Sequence, residues 1–159
     1  MLTPSQRDLA VSVLTAAADL TIATLRPDGY PQATTVSFVS DGLAIYFGAG
    51  AKSQKAQNIA HDNRVSAAIT APYKSWDDIR GVSIGGRAVQ VTDAAELQRM
   101  GELMFKKFPQ APQYIQGNPG FEMSVFRIDP EVVSLLDYSK GFGHTELADV
   151  RAGSEQAPL

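Results

Sequence analysis

The stretch L-T-I-A-T-L-R-P-D-G-Y-P-Q-A-T-T-V-S-F-V-S-D-G-L-A-I-Y-F-G, residues 20–48, decides the fold. Leu20, Ile22 and Thr24 alternate with Thr21, Ala23 and Leu25, and the β-branched content predicts a strand over 20–26. Pro27-Asp28-Gly29 is a turn, because proline presets its own φ and glycine accepts a positive one. Ala33 to Ser40 predicts a second strand, and Asp41-Gly42 a tight hairpin into a third, Leu43 to Gly48. Connections this short join antiparallel neighbours, since a parallel crossover needs about a dozen residues or more.

The same alternation continues outward. Arg64 to Thr70 predicts a strand with Val65, Ala67 and Ile69 on one face. Ile79 to Val91 predicts a long one, interrupted by Gly81, Gly85 and Gly86, where a bulge, a bend or a close approach to the backbone is expected. Phe121 to Ile128 and Val132 to Tyr138 read as two final strands separated by Asp129-Pro130. Helices are expected at three places. Thr3-Pro4-Ser5-Gln6 is a capping box ahead of Leu9, Val13, Ala16 and Ala17. Residues 51–59, A-K-S-Q-K-A-Q-N-I, start an amphipathic helix, and Asp93 to Glu96 cap another with Leu97, Met100, Met104 and Phe108 on one side. About seven antiparallel strands with two to three peripheral helices give a mainly β (α+β) chain. A meander of this size removes its edges by curling into a barrel. One domain over 1–148 is expected, followed by a small polar tail, 149–159.

Composition narrows the partners. A formal charge of −3 and a pI near 5.3 argue against nucleic acid or an anionic membrane, so any positive site is local. There is no cysteine, which removes disulfides and thiolate chemistry, and two histidines alone do not make a zinc site. No apolar run approaches the roughly 20 residues of a spanning helix, and M-L-T-P-S-Q-R-D lacks a signal-peptide layout. The expectation is a soluble cytoplasmic protein. No G-x-S-x-G, H-E-x-x-H or G-x-G-x-x-G motif is present, and Asp77 and Asp78 are adjacent rather than paired across a site. No protein nucleophile or acid/base device stands out, so any catalysis would rest on a cofactor.

The candidate binding residues cluster in the first half. Lys52, Ser53 and Lys55 stand where a strand passes into a helix, and a helix start offers unpaired N–H groups and a positive dipole end. Together they read as a phosphate seat or, in the plainer alternative, as a capped surface helix with ordinary lysines. Thr34 and Thr35 lie on a strand expected to abut it, as ligand hydrogen-bonding groups or as plain strand formers. Trp76 is expected to fill the core beneath its loop, with stacking on an aromatic ligand the alternative. His61 complements the negative end of its helix. His144, in S-K-G-F-G-H, is an exposed loop histidine or part of a ligand-touching segment with Lys140 and Phe142.

Taken in order, A-T-L-R-P-D-G-Y-P (23–31), T-T-V-S-F-V, D-G-L-A-I-Y-F, K-S-Q-K-A-Q-N-I-A-H-D-N-R-V-S (52–66), I-R-G-V-S-I-G-G-R-A-V (79–89) and F-R-I-D-P-E-V-V (126–133) resemble the pyridoxamine 5′-phosphate oxidase-like family of flavin-binding split β-barrels. The resemblance spans 18–138. It implies a homodimer with FMN sites at the interface, the phosphate held by Lys52, Ser53 and Lys55. It also implies that Thr34, Thr35 and Val36 line the isoalloxazine and ribityl groups, with Trp76 and the Arg80–Ser83 strand approaching from the other side or the other subunit. The chain departs from the family at Gln54, Gly81 and Ser83, and its G-F-G-H-T-E-L ending lacks the element that grips pyridoxal phosphate. The implied function is therefore an FMN-dependent oxidoreductase acting on a small molecule, and not oxidation of vitamin B6 phosphate. The alternatives are a deazaflavin, a haem ligated by His61 or His144, or a flavin-binding sensor or carrier without turnover. Phe142 and His144 are expected to fold over the flavin.

Overall fold

The computed structural model describes residues 1–118 and 120–151. Helix α1 (Pro4–Ala16) begins with the expected capping box: the Thr3 hydroxyl accepts the Gln6 N–H at 3.3 Å and the Gln6 side chain accepts the Thr3 N–H at 2.9 Å. It buries Ala10, Val13 and Leu14, with Ala17 just beyond, while helical rotation carries Ala16 off that stripe into solvent. Strands β1 (Asp19–Leu25), β2 (Pro31–Asp41) and β3 (Ala44–Gly50) form the expected meander. Helix α2 (Gln54–His61) leads to β4 (Arg64–Thr70), which pairs with β1 on the side away from β2. Strand β5 (Arg80–Gln90), helices α3 (Ala94–Lys107) and α4 (Ala111–Gln116), β6 (Met123–Asp137) and β7 (Thr145–Asp149) complete the chain.

The strand order is β3-β2-β1-β4-β5-β6-β7, and a further pairing between β3 and β6 closes the first six into a barrel. All pairings are antiparallel. Strand β6 makes this possible. Its first half pairs with β3 and its second half with β7, while β5 pairs with it from Phe126 to Asp137. The two final strands expected from the sequence are thus one. Asp129-Pro130 does not turn the chain, because the register shifts between Gly85 and Gly86 and the proline sits at that irregularity, a place in a sheet where proline is tolerated. A Cβ on Gly86 would overlap the carbonyl oxygen of Asp129, so the glycine anticipated as a close-approach site is one.

Inward residues of every barrel strand meet in one core, with Phe38, Phe47, Ile22, Ile45, Ile84 and Ile128 fully buried. A second cluster forms outside the barrel, where Val39, Tyr46 and Val91 receive Leu97, Met100 and Met104 of α3 and Phe108 at its C-cap. Arg127 fastens that layer through Glu96 at 2.7 Å and Asp129 at 2.6 Å. Two elements lie outside the expected set: the short α4, and β7, whose last residue is Asp149, placed in the tail by the sequence reading. Residues 152–159 lie outside the described residues. No helix among the described residues is long and apolar enough to cross a membrane.

Gly86→Ala tests the shared strand. It should lower stability by about 1–3 kcal/mol, seen as a reduced urea midpoint, because the Asp129 backbone cannot retreat without breaking the β5–β6 ladder. Gly101→Ala, on α3 with nothing within 4 Å of the added methyl, is the control and should not destabilise.

Candidate functional site

The pairing registers give the barrel two rims. Asp19, Asp41, Ala44, Thr70 and Arg80 mark one, and Leu25, Pro31, Gly50, Arg64 and Gln90 mark the other. The Lys52–Lys55 segment lies at the second rim, directly after β3. Ser53 is the N-cap of α2, its hydroxyl accepting the Ala56 N–H at 3.2 Å. The next two N–H groups, on Gln54 and Lys55, have no acceptor among the described residues. Lys55 is half-buried, and burial alone pulls its pKa below the usual lysine value, with no carboxylate nearby to offset it. Lys52 and Ser53 line a cleft of about 430 Å³ with Gly50, Phe121 and Glu122; Lys55 does not line it. Two free N–H donors, a capping hydroxyl and an uncompensated ammonium form a donor set chemically suited to a phosphate. Glu122, on the same cleft, is the one carboxylate opposing it.

The position of α2 depends on a residue that the sequence reading passed over. Asn58 is fully buried; its amide donates to Thr24 Oγ1 at 3.0 Å and to Gln32 Oε1 at 3.1 Å, and its carbonyl accepts from Gln54 at 2.8 Å. This ties the helix to β1 and β2. Only its position on the apolar side of α2, beside Ala56 and Ile59, hinted at burial.

The two threonines separate. Thr34 pairs with Ile22 and shares the inward parity of Val36, whereas Thr35 is exposed on the outer face. Strand alternation forbids both side chains from facing one ligand. Thr35 and Val36 line an outer cavity of about 520 Å³ beneath α3 and α4; Thr34 does not. Gly48 and Gly50 also face outward on β3, with the Met123 and Phe121 side chains lying over them. The G-A-G spacing was a legible sign that both glycines share a face.

At the opposite rim, Trp76 is 67% exposed on a single 3-10 turn, outside the core where it was expected. It stacks on Phe142, itself 78% exposed, with centroids 5.7 Å apart, and Tyr138 meets Phe142 edge-on at 5.1 Å. The 3-10 turn bridges β4 and β5 beyond the barrel rim, so its tryptophan has no interior to enter. Arg80 pairs with Asp137 at 3.5 Å close by. His144 Nε2 lies 2.8 Å from Glu146 Oε1, which also accepts from Lys140 at 2.8 Å. Within one chain, then, Lys52 and Ser53 line one cleft, Thr35 and Val36 line a separate cavity, Lys55 lines neither, and Trp76, Arg80, Phe142 and His144 gather at the opposite rim. His61 is exposed in the last turn of α2, the expected dipole position.

Residues 9–137 match the family model described as pyridoxamine 5′-phosphate oxidase. The chain belongs to that family. Among solved structures, the family member is similar to a haem binding protein from Mycobacterium smegmatis, with TM-score 0.78 and 24% identity over 94% of this chain and 60% of that one. The chain thus spans less than two thirds of that relative's length. A conserved hypothetical protein from Mycobacterium tuberculosis matches with TM-score 0.72 and 25% identity over 94% of each chain. A haem storage protein from Vibrio cholerae matches with TM-score 0.62 and 18% identity over 82% of this chain and 90% of that one. The first and third likenesses concern the fold alone. No curated protein sequence matches the chain.

Two outcomes follow from this geometry. Asn58→Ala should cost about 1–3 kcal/mol in urea unfolding, because Thr24 and Gln32 lose a buried donor and α2 loses its tether. Glu146 carries the acid dependence of the α1–β7 junction. Gln6, then His144 and Lys140, hold its carboxyl down at about 2. A depressed carboxylate stabilises above its unfolded pKa of about 4.3 and loses that contribution as pH falls through the folded value. The native chain should therefore exceed Glu146→Gln in urea midpoint at pH 6, with the gap closing as the pH is lowered toward 2.

Proposed function

We propose that the protein is an FMN-binding oxidoreductase of its family, acting on a small molecule other than pyridoxamine phosphate. The observation that carries this reading is the start of α2, where Ser53, the N–H groups of Gln54 and Lys55 and the lysines 52 and 55 form a donor set suited to an anion, with Glu122 the one carboxylate on its cleft. Lys52 and Ser53 would hold the phosphate in their cleft, and Lys55 would add charge from the first turn of the helix. Thr35 and the backbone of Thr34–Val36 would meet the ring and the ribityl chain. The chemistry supplied when flavin is bound is hydride and electron transfer; the protein contributes position, a dry flank and hydrogen bonds.

A homodimer is part of the proposal. The seat and the Trp76–Phe142 pair lie at opposite rims of one barrel. They can serve one cofactor only if an antiparallel partner brings them together, so that the partner subunit's Trp76, Arg80, Phe142 and His144 close over the flavin.

A second reading is a haem-binding protein. The proteins from Mycobacterium smegmatis and Vibrio cholerae support it by name, and His61 lines a cavity of about 590 Å³ between α2 and strands β5 and β6. His144 is the other candidate ligand, though Glu146 already engages its Nε2. A deazaflavin would use the same phosphate seat as FMN.

The experiment is an absorption spectrum of the purified protein with the chromophore identified by mass, followed by FMN titration of the apoprotein. Lys52→Ala/Lys55→Ala should weaken FMN by about one hundred-fold or more, and unchanged affinity would overturn the assignment. FMN should quench the single tryptophan if the partner's Trp76 approaches it. A Soret band would favour haem, and flavin binding without NAD(P)H oxidation above the free-flavin background would favour a sensor or carrier.

A further inference from the structure

We infer that Glu122 couples the cleft at the start of α2 to a proton, so that the anion it selects is one able to carry or share a proton, such as a phosphate monoester. A group that stays doubly charged at neutral pH is disfavoured. The inference rests on the proposed phosphate role of this cleft and adds its charge selectivity; the flavin ring has no part in it.

The fixed charges of the cleft do not match a dianion. Lys52 and Glu122 are its only ionisable lining residues, one of each sign, and the rest of the wall is Ser53, small residues and Phe121. Lys55 adds one positive charge from the first turn of α2, outside the wall. Two ammonium groups against one carboxylate leave a single net positive charge, enough for a monoanion, with a fraction more from the helix start. Glu122 and Lys52 are both exposed, and neither makes an ion pair among the described residues. In the bound state the nearest charge Glu122 meets is therefore that of the anion itself.

The backbone keeps residue 122 in this position. The Ala51 N–H donates to the Glu122 carbonyl at 2.9 Å, and Gly50 opposite Met123 continues the β3–β6 ladder from there. The Phe121 ring lies over Gly50 on the same side of the cleft. None of these contacts uses the carboxylate, so changing it leaves the frame intact.

Two negative groups in one cleft repel, and a proton taken up by either relieves the repulsion. A free carboxylate ionises at about 4.3 and a phosphate monoester loses its second proton at about 6. Held side by side, the pair retains one proton at neutral pH, placed between two oxygens as a charge-assisted O–H···O bond. Sulfate has the shape of phosphate and no proton to share, so it meets Glu122 with the repulsion intact. Lys55 titrates alike with every ligand and cancels in such a comparison.

The test uses the full chain without added cofactor, titrated with inorganic phosphate and with sulfate at low ionic strength. The backbone amide resonances of Gln54 and Lys55 report occupancy. At pH 6 the native chain should bind phosphate about five-fold more tightly than sulfate. Glu122→Gln should erase the preference by strengthening sulfate, and Glu122→Asp, which keeps the charge, should retain it. FMN should bind the native chain about five-fold more tightly at pH 6 than at pH 8, a gradient that Glu122→Gln abolishes. Riboflavin, which lacks the phosphate, should show no such gradient. Equal binding of phosphate and sulfate by the native chain would overturn the inference and leave the phosphate site standing. A preference or an FMN gradient that survives in Glu122→Gln would do the same. If phosphate, sulfate and FMN all leave the two amides unmoved, the phosphate reading itself falls, and the inference with it.

Discussion

One backbone approach governs this fold: the carbonyl of Asp129 against the bare α-carbon of Gly86. Because no side chain stands there, β6 passes a proline and a register shift without turning away from β5. The strand can then be long enough to serve two partners on its other edge, β3 in its first half and β7 in its second. Pairing with β3 closes the barrel and removes its edges. Pairing with β7 carries the chain back toward α1, where Gln6 meets Glu146 at 2.5 Å.

Closure has a chemical consequence at the second rim. Once β3 is locked against β6, the chain leaving Gly50 must bend into α2, and the helix start is held there by the buried Asn58 amide reaching Thr24 and Gln32. The free N–H groups and the lysines at that start inherit a fixed position from a polar network that is fully satisfied, with no unpartnered buried side-chain atom among the described residues. Outside the barrel the same strand faces α3, and the methionines and aromatic rings of that layer make an uncharged chamber beside the charged one. Two environments of opposite character thus share β3.

Much of this was legible from residues alone. The turns at Pro27-Asp28-Gly29 and Asp41-Gly42, the capping box at Thr3, and the Asp93 and Ser53 caps are local devices, so short sequence windows contain all of their physics. The glycines of β5 signalled a close approach for the same reason. The final strands were misdivided because Asp-Pro is a turn signal by local chemistry, and only the partner glycine across the ladder neutralises it. Trp76 was expected inside because large aromatics usually fill cores, yet its position on a turn beyond the rim gave it no interior to reach. Asn58 gave almost no sign, since a buried amide is recognisable only when its two partners on distant strands are known.

What the sequence by itself determined is therefore the set of local elements, the antiparallel pairing of the first three strands, the family, and the cluster of lysines, capping hydroxyl and helix-start donors at residues 52–55. Those depend on alternation, caps and turn residues, which act over a few positions. The tertiary structure alone decided which residues share a region. It divided Thr34 from Thr35 by strand parity, sent Trp76 and Phe142 to the rim opposite Lys52, and joined Thr35, Gly48 and Met123 to α3 and α4 in one uncharged cavity. Such proximities arise from long-range strand registers, and no short window of sequence carries a register.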